Sequence, residues 1–415
     1  MRARLALALV VVARAVVARA VDDVTLATNA SAIARASATR ESDVTLGGWT
    51  AETWYAATAF RSSWYVDALG VDRGRAVDAS DASALFAALS DPTVETVRLT
   101  SAATLRADAW PRRGVVVRRR VTLRGACGSP CVVDGLGERS LASVVDGGSL
   151  TMSGVRVRRA AAANGFGGGV YFGRAHGGGE VSDVVFEDCD ASEGGAVFVA
   201  SGSGTGRVIF RNVTFLRNRA TGARGRGGAA FASVAGPNRV IFDDCAFVDN
   251  TATNGFGGGV YGHGGYVVVN ACNFTRNVAA TGGGVAMNRG GVVSSTLFFS
   301  NEATTSTGGG LHIISPSDVV SGNRASSVQR TTFVNNTARV AGGGAFAYGR
   351  VRMLANSFAA NVIGPSATSG LNADYYVCTN TTSSGCSLVP TLAGDVYDPA
   401  KHDPFTPEAD FATVS

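Results

Sequence analysis

The chain is almost without lysine. Of 37 basic residues, only Lys401 is lysine; the others are arginine. Charged residues are 17% of the 415, against about a quarter in an ordinary soluble domain. Hydrophobic residues reach 46%, and a disordered chain shows the opposite balance. Beyond the first twenty residues no run approaches the ~18–20 continuous apolar residues of a membrane span. No membrane-spanning segment is therefore expected once a leader is removed. No stretch shows a 3.6-residue period over ten or more residues in each repeat, as a helical solenoid would. G-x-S-x-G and P-loop motifs are absent. The four histidines, His176, His263, His312 and His402, do not make a metal-ligand spacing. No cofactor is expected.

What is abundant is glycine, at 54 residues against 10 prolines. Among many Val, Phe and Thr, that composition reads as an all-β chain with many tight turns. The stretch NGFGGGVY occurs twice, at 164–171 and 254–261. Around it a longer repeat recurs: VIFRNVTFLRNRA from Val208, VIFDDCAFVDNTA from Val240 and VVVNACNFTRNVA from Val267. TLFFSNEA, TTFVNNTA and NSFAAN continue it from Thr296, Thr331 and Asn356. Each of the first five leads, through a variable loop, into GGAAF, GGGVY, GGGVAM, GGGLHI or GGGAFAY.

The leading phenylalanines are Phe215, Phe247, Phe274, Phe298, Phe333 and Phe358, spaced by 24 to 35 residues. Three residues after each stands Asn218, Asn250, Asn277, Asn301, Asn336 or Asn361. One period therefore holds a short strand, a polar corner, a second short strand, a turn at the asparagine, a loop, and a third strand after the glycines. This predicts a right-handed parallel β-helix, a solenoid of three short strands per coil. Successive coils lie about 4.8 Å apart, so equivalent residues stack. The phenylalanines are expected as an inward aromatic ladder. Val213, Cys245, Cys272, Thr296 and Thr331 form a second inward row. The asparagines are expected at a corner, taking left-handed backbone and bonding to the next coil. Upstream, VVFEDC at 184–189 reads as a match to VIFDDC. Val157 falls in the phenylalanine place and Ala160 in the asparagine place.

The expected organisation is a secretory signal over 1–20, an irregular segment or cap over 21–84, the β-helix over 85–363, and a tail or cap over 364–415. The start, MRARLALALVVVARAVVARA, has basic residues, an apolar run and a small-residue Ala18-Arg19-Ala20 pattern, as a secretory signal does. Its arginines also suit an organelle transit peptide, which leaves an organelle lumen as the alternative to secretion. The run 85–90 reads as a helix over the first coil. Segment 48–66, with Trp49, Trp54 and Trp64, reads as part of that cap or as a sugar-binding platform. Arginines in PRRGVVVRRRVTLRG at 111–125 alternate with valines and read as an outward strand face rather than a nucleic-acid surface. Five sequons begin at Asn29, Asn212, Asn273, Asn335 and Asn380; they carry meaning in a eukaryotic secretory pathway. Cys127 with Cys131, and Cys378 with Cys386, are spaced to clip local loops. Cys245 and Cys272 read as stacked buried thiols.

F-x-x-N followed by GG-[AG]-[AVL] resembles the repeats of the chlamydial polymorphic outer membrane proteins. The entry VTLRG…VDG…SLTMSGV…GGGVY at 121–171 is similar to extracellular right-handed β-helix proteins of the pectin-lyase-like class. The resemblance spans about 85–363. It implies a secreted or surface-displayed β-helix, and in the chlamydial family the repeats belong to adhesins. The pectin-lyase-like class also hosts polysaccharide lyases and hydrolases. Asp243 and Asp244, followed by His263 in Gly-His-Gly, resemble the acid pair and histidine of polygalacturonases. The family's upstream Asn-x-Asp and downstream Arg-x-Lys are missing, and Asp243-Asp244 sits where other repeats carry Glu187-Asp188, Arg211-Asn212 or Asn270-Ala271. A repeat corner accounts for the pair without catalysis. The expected function is non-enzymatic recognition of a polysaccharide or cell-surface glycan, adhesion, or a structural role, with the variable loops before the glycines as the binding edge. A polysaccharide lyase or glycoside hydrolase is the alternative.

Overall fold

The computed structural model describes residues 74–378, apart from 201–205, 234–238, 265, 316–325, 350 and 365–374. Residues 1–20, segment 48–66, Asn29, Asn380, Cys386 and the residues after 378 lie outside the described residues. The chain is an all-β parallel solenoid. Among the described residues its strands join equivalent strands of neighbouring coils into ladders of 11, 10, 8 and 10 members, numbered sheets 1 to 4 in chain order within a coil. One coil runs through Val208–Arg211, Thr214–Leu216, Arg219–Ala220 and Ala230–Ser233. Sheets 1, 2 and 4 are the three expected strands. Sheet 3 is a short addition in the stretch after the asparagine.

Both ends run beyond their expected limits. Strand β1 (Arg75–Ala79) pairs in parallel with β2 (Val94–Leu99), so the first coil begins within the segment assigned to the cap. Between them lies α1 (Ala82–Ser90), which packs on the first strands of sheets 1, 2 and 4 and closes the core as expected. Asp81 caps its start by accepting from the Ala84 amide at 2.9 Å. Arg119 closes its other end, donating to the carbonyls of Leu89 at 3.0 Å and Asp91 at 2.6 Å. That arginine is structural, and its neighbours alternate with buried Val115, Val117 and Val121 as expected. At the far end Tyr375–Cys378 adds to Ala345–Gly349 in sheet 4, past the expected limit of 363.

The core is a stack. Phe215, Phe247, Phe274, Phe298, Phe333 and Phe358 are in register on sheet 2. Their ring centroids lie 4.4–4.9 Å apart and nearly parallel. Phe186 and, as expected, Val157 continue the column. The second inward row is buried as expected, and Cys189, Cys245 and Cys272 are free, buried thiols. Cys127 and Cys131 form the expected disulfide. The pairing of Cys378 with Cys386 falls outside the described residues.

The asparagines differ from expectation in one respect. The left-handed residue is the one before each of them: Arg217, Asp249, Arg276, Ser300, Asn335 and Ala360, with φ of 52 to 55°. The asparagines themselves turn inward and form a buried column. From Asn218 to Asn336 each Nδ2 donates to the next Oδ1 and to the carbonyl of a phenylalanine one coil back, as in Asn250 to Asn277 and to Phe215. From Asn250 to Asn361 each Oδ1 also accepts the preceding asparagine's backbone amide, as in Asn250 to Asn277 at 3.0 Å. A column of amides thus satisfies backbone groups that a turn would otherwise bury unpaired. The left-handed column carries alternating charge, Arg159, Asp188, Arg217, Asp249 and Arg276. Arg217 bonds back to Asp188 at 2.8 Å and Arg276 to Asp249 at 2.7 Å.

The register of VVFEDC also differs. Phe186 pairs with Phe215, so this stretch belongs to sheet 2 and Cys189 occupies the asparagine place. The amide of Cys189 donates to Asn218 Oδ1. The misreading has a simple cause: a V-x-F pattern serves both sheet 1 (Val208 to Phe210) and sheet 2 (Val213 to Phe215).

Candidate functional site

The glycines of NGFGGGVY have three separate reasons. Gly257 has φ of 67°, which costs a side chain about 1–2 kcal/mol. A Cβ on Gly258 would lie 2.3 Å from the Gly283 carbonyl oxygen of the next coil. A Cβ on Gly259 would lie 2.7 Å from the Phe274 ring, so sheets 4 and 2 meet across the core there. The chain therefore enters sheet 4 pressed against its neighbours. The two-residue strand period then sends Val260 inward and Tyr261 outward.

Equivalent outward positions on successive coils are Tyr171, Phe198, Phe231 and Tyr261, all in register. Their centroids are 5.7, 4.7 and 5.0 Å apart. A second rank lies over this row, made by the residue before each first glycine: Phe166, Glu193, Arg226 and Phe256. Phe166 stacks on Tyr171 at 6.2 Å and 26°, and Phe256 on Tyr261 at 5.4 Å and 25°. The repeated octapeptide thus builds the same aromatic pair twice. The copies are three coils apart, as the repeat order implies, or about 14 Å at strand spacing.

The upper rank shields the lower. Phe198, Phe231 and Tyr261 are 6%, 3% and 5% exposed, whereas Phe166 and Phe256 are 47% and 39% exposed. Arg226 and Glu193 lie between the two tips. The Arg226 guanidinium sits over the Phe231 ring at 5.0 Å and donates from Nε to Glu193 at 2.8 Å. The Tyr261 hydroxyl lies 3.3 Å from His263 Nδ1. Burial pushes the His263 pKa down, and Arg226 and Arg289 push it further. Burial raises the Tyr261 phenol. The result is a ridge with two exposed ring faces and a polar centre, suited to stacking and hydrogen bonding.

The three catalytic candidates are not assembled. His263 ends its sheet 4 strand, and the next coil's sheet 1 strand, Tyr266–Asn270, begins just after it. Asp243 aligns with Asn270 at the far end of that strand, and Asp244 is a corner residue with φ of 53°. A strand of five residues at about 3.3 Å each separates the histidine from the acids. Asp243 accepts from Asn270 Nδ2 at 2.8 Å. No group of three His, Cys, Asp or Glu side chains capable of holding a metal occurs among the described residues. Of the described sequons, Asn212 and Asn335 are exposed at corners and Asn273 is half-buried on sheet 2. The loops TGARGR and TNGF end in Arg226 and Phe256 and so contribute to the ridge.

The aromatic row itself was not anticipated, yet it has a signal. The residue four places after each first glycine reads Tyr, Phe, Phe, Tyr in GGGVY, GGAVF, GGAAF and GGGVY. Comparison with protein-family models, with curated proteins and with solved structures finds no match.

Proposed function

We propose that this is a secreted or cell-surface β-helix protein that recognises glycans without turning them over. The observation that carries this reading is the pair of exposed rings, Phe166 and Phe256, stacked over tyrosines at similar interplanar angles with Arg226 and Glu193 between them. Sugar rings present C–H faces to aromatic rings and hydroxyls to such polar groups. The ridge lies beside the variable loops, where recognition residues concentrate. The resemblance to chlamydial repeats favours adhesion. The resemblance to pectin-lyase-like proteins favours a carbohydrate ligand. Hydrolysis by paired carboxylates needs two free acids at a set separation; in this ridge Glu193 is tied to Arg226.

The test is binding of the full chain to an array of neutral and acidic polysaccharides, compared with the Phe166→Ala/Phe256→Ala variant. An aromatic contact is worth about 0.5–1.5 kcal/mol, so losing two should weaken binding about five-fold or more. Binding that ignores the double variant would refute the site. Turnover of any polysaccharide abolished by Asp243→Asn would refute the non-enzymatic reading in favour of a lyase or hydrolase.

A further inference from the structure

The three described sequons share one side of the solenoid. Asn273 opens a sheet 2 strand; Asn212 stands at the corner between sheets 1 and 2, and Asn335 at the corner between sheets 2 and 3. Sheet 2 faces sheet 4 across the core, as the Gly259–Phe274 approach shows. The aromatic ridge is on the outer side of sheet 4. The sequons therefore lie across the molecule from it.

The three sites are not equivalent. Asn212 and Asn335 are exposed left-handed corner residues, with φ of 49° and 55°. Asn273 is half-buried in mid-sheet, in register with Ala246 on one side and Leu297 on the other. Less of its side chain is therefore open to a transferase than at the two exposed corners.

We infer that Asn212 and Asn335 carry N-linked glycans, leaving the ridge on sheet 4 bare. This rests on the secreted reading above. In the transfer, the asparagine Nδ2 bonds to C1 of an oligosaccharide held on a lipid diphosphate. The C1–O bond to phosphate breaks, the lipid diphosphate leaves, and Nδ2 loses one proton to the transferase's base. In the unmodified chain Asn212 Nδ2 donates to Asp183 Oδ1 at 2.6 Å, and Asn335 Nδ2 to Ser300 Oγ at 2.9 Å. One Nδ2 hydrogen remains after transfer, so each modified side chain retains a single donor.

The experiment expresses the full chain in a eukaryotic secretory host and treats the secreted protein with peptide N-glycosidase in heavy-oxygen water. Peptide mass spectrometry then reads which asparagines become labelled aspartates. Label at Asn212 and Asn335 is the expected result. Asn212→Gln and Asn335→Gln should each lower the intact mass by one glycan. Thr214→Ala and Thr337→Ala should do the same without altering either asparagine. A secreted chain unmodified at both corners overturns the inference and leaves the secreted reading standing. A chain that never enters the secretory pathway overturns that reading, and the inference falls with it.

Discussion

Asn277 lies in the middle of the buried amide column, and its replacement by alanine isolates what the column does. Its Oδ1 accepts from the Asn250 backbone amide at 3.0 Å and from Asn250 Nδ2 at 2.9 Å. Its Nδ2 donates to the Phe247 carbonyl and to Asn301 Oδ1, both at 2.9 Å. Asn277→Ala leaves two Asn250 donors buried without an acceptor. Each costs about 1–3 kcal/mol, so the variant should lose about 2–6 kcal/mol. Asn218, at the head of the column, is the control. Its Oδ1 accepts only the Cys189 amide, at 3.0 Å. Asn218→Ala therefore strands one donor and should lose about 1–3 kcal/mol. Both changes remove the same atoms, so the cavity contributions largely cancel in the comparison. Urea unfolding followed by circular dichroism measures both, with equal slopes required for a fair comparison. Equal losses, or a larger loss at Asn218, would refute the claim that the column works by satisfying its neighbour's donors.

Gly259→Ala should destabilise by about 1–3 kcal/mol through overpacking, because the new Cβ lands on the Phe274 ring; unfolding midpoints check this, and no loss would mean that the two sheets separate easily there. His312 stacks on Phe346 at 5.0 Å, and burial lowers its pKa to about 4. The unfolded residue takes its proton near 6.5, so between these values the unfolded chain binds more protons. Stability should therefore fall by roughly 3 kcal/mol as the pH drops from 6.5 to 4, and His312→Gln should flatten that dependence in unfolding curves taken across the range. The buried thiols should resist a disulfide reagent until the chain unfolds, since burial pushes Cys189 up to about 12 and Cys272 well above its usual value; prompt reaction in the folded protein would contradict the stacked register.

What the sequence made legible follows from which residues the fold constrains directly. Phe215 and its successors must stack on one another, so they recur in identity, and the ladder was readable from spacing alone. The left-handed corners demand a backbone angle and no particular side chain, so Arg217, Asp249, Ser300 and Ala360 all serve. That column has no consensus, and the conspicuous asparagine beside it took its role in the reading. The buried bonds of Asn250 run to other coils and become visible only in three dimensions. The ends were misjudged for the same reason: RAVDA at β1 and YYVC near 378 pair as strands without carrying the repeat. In the ridge, Phe166 and Phe256 belong to the repeated octapeptide. Glu193 and Arg226 share their place with no shared chemistry, so only the stacking of coils joins the four.

The alternating corner column has a consequence for assembly order. Because Arg159, Asp188, Arg217, Asp249 and Arg276 change sign at every coil, the column acts as a parity check. A chain that looped out the coil of Arg217 would set Asp188 against Asp249; one that looped out the coil of Asp249 would set Arg217 against Arg276. Like charges directly opposite on neighbouring strands are destabilising, while the core columns of phenylalanine and asparagine would accept either mistake. The core can recognise that some coil has arrived. The corner distinguishes the next coil from the one after it.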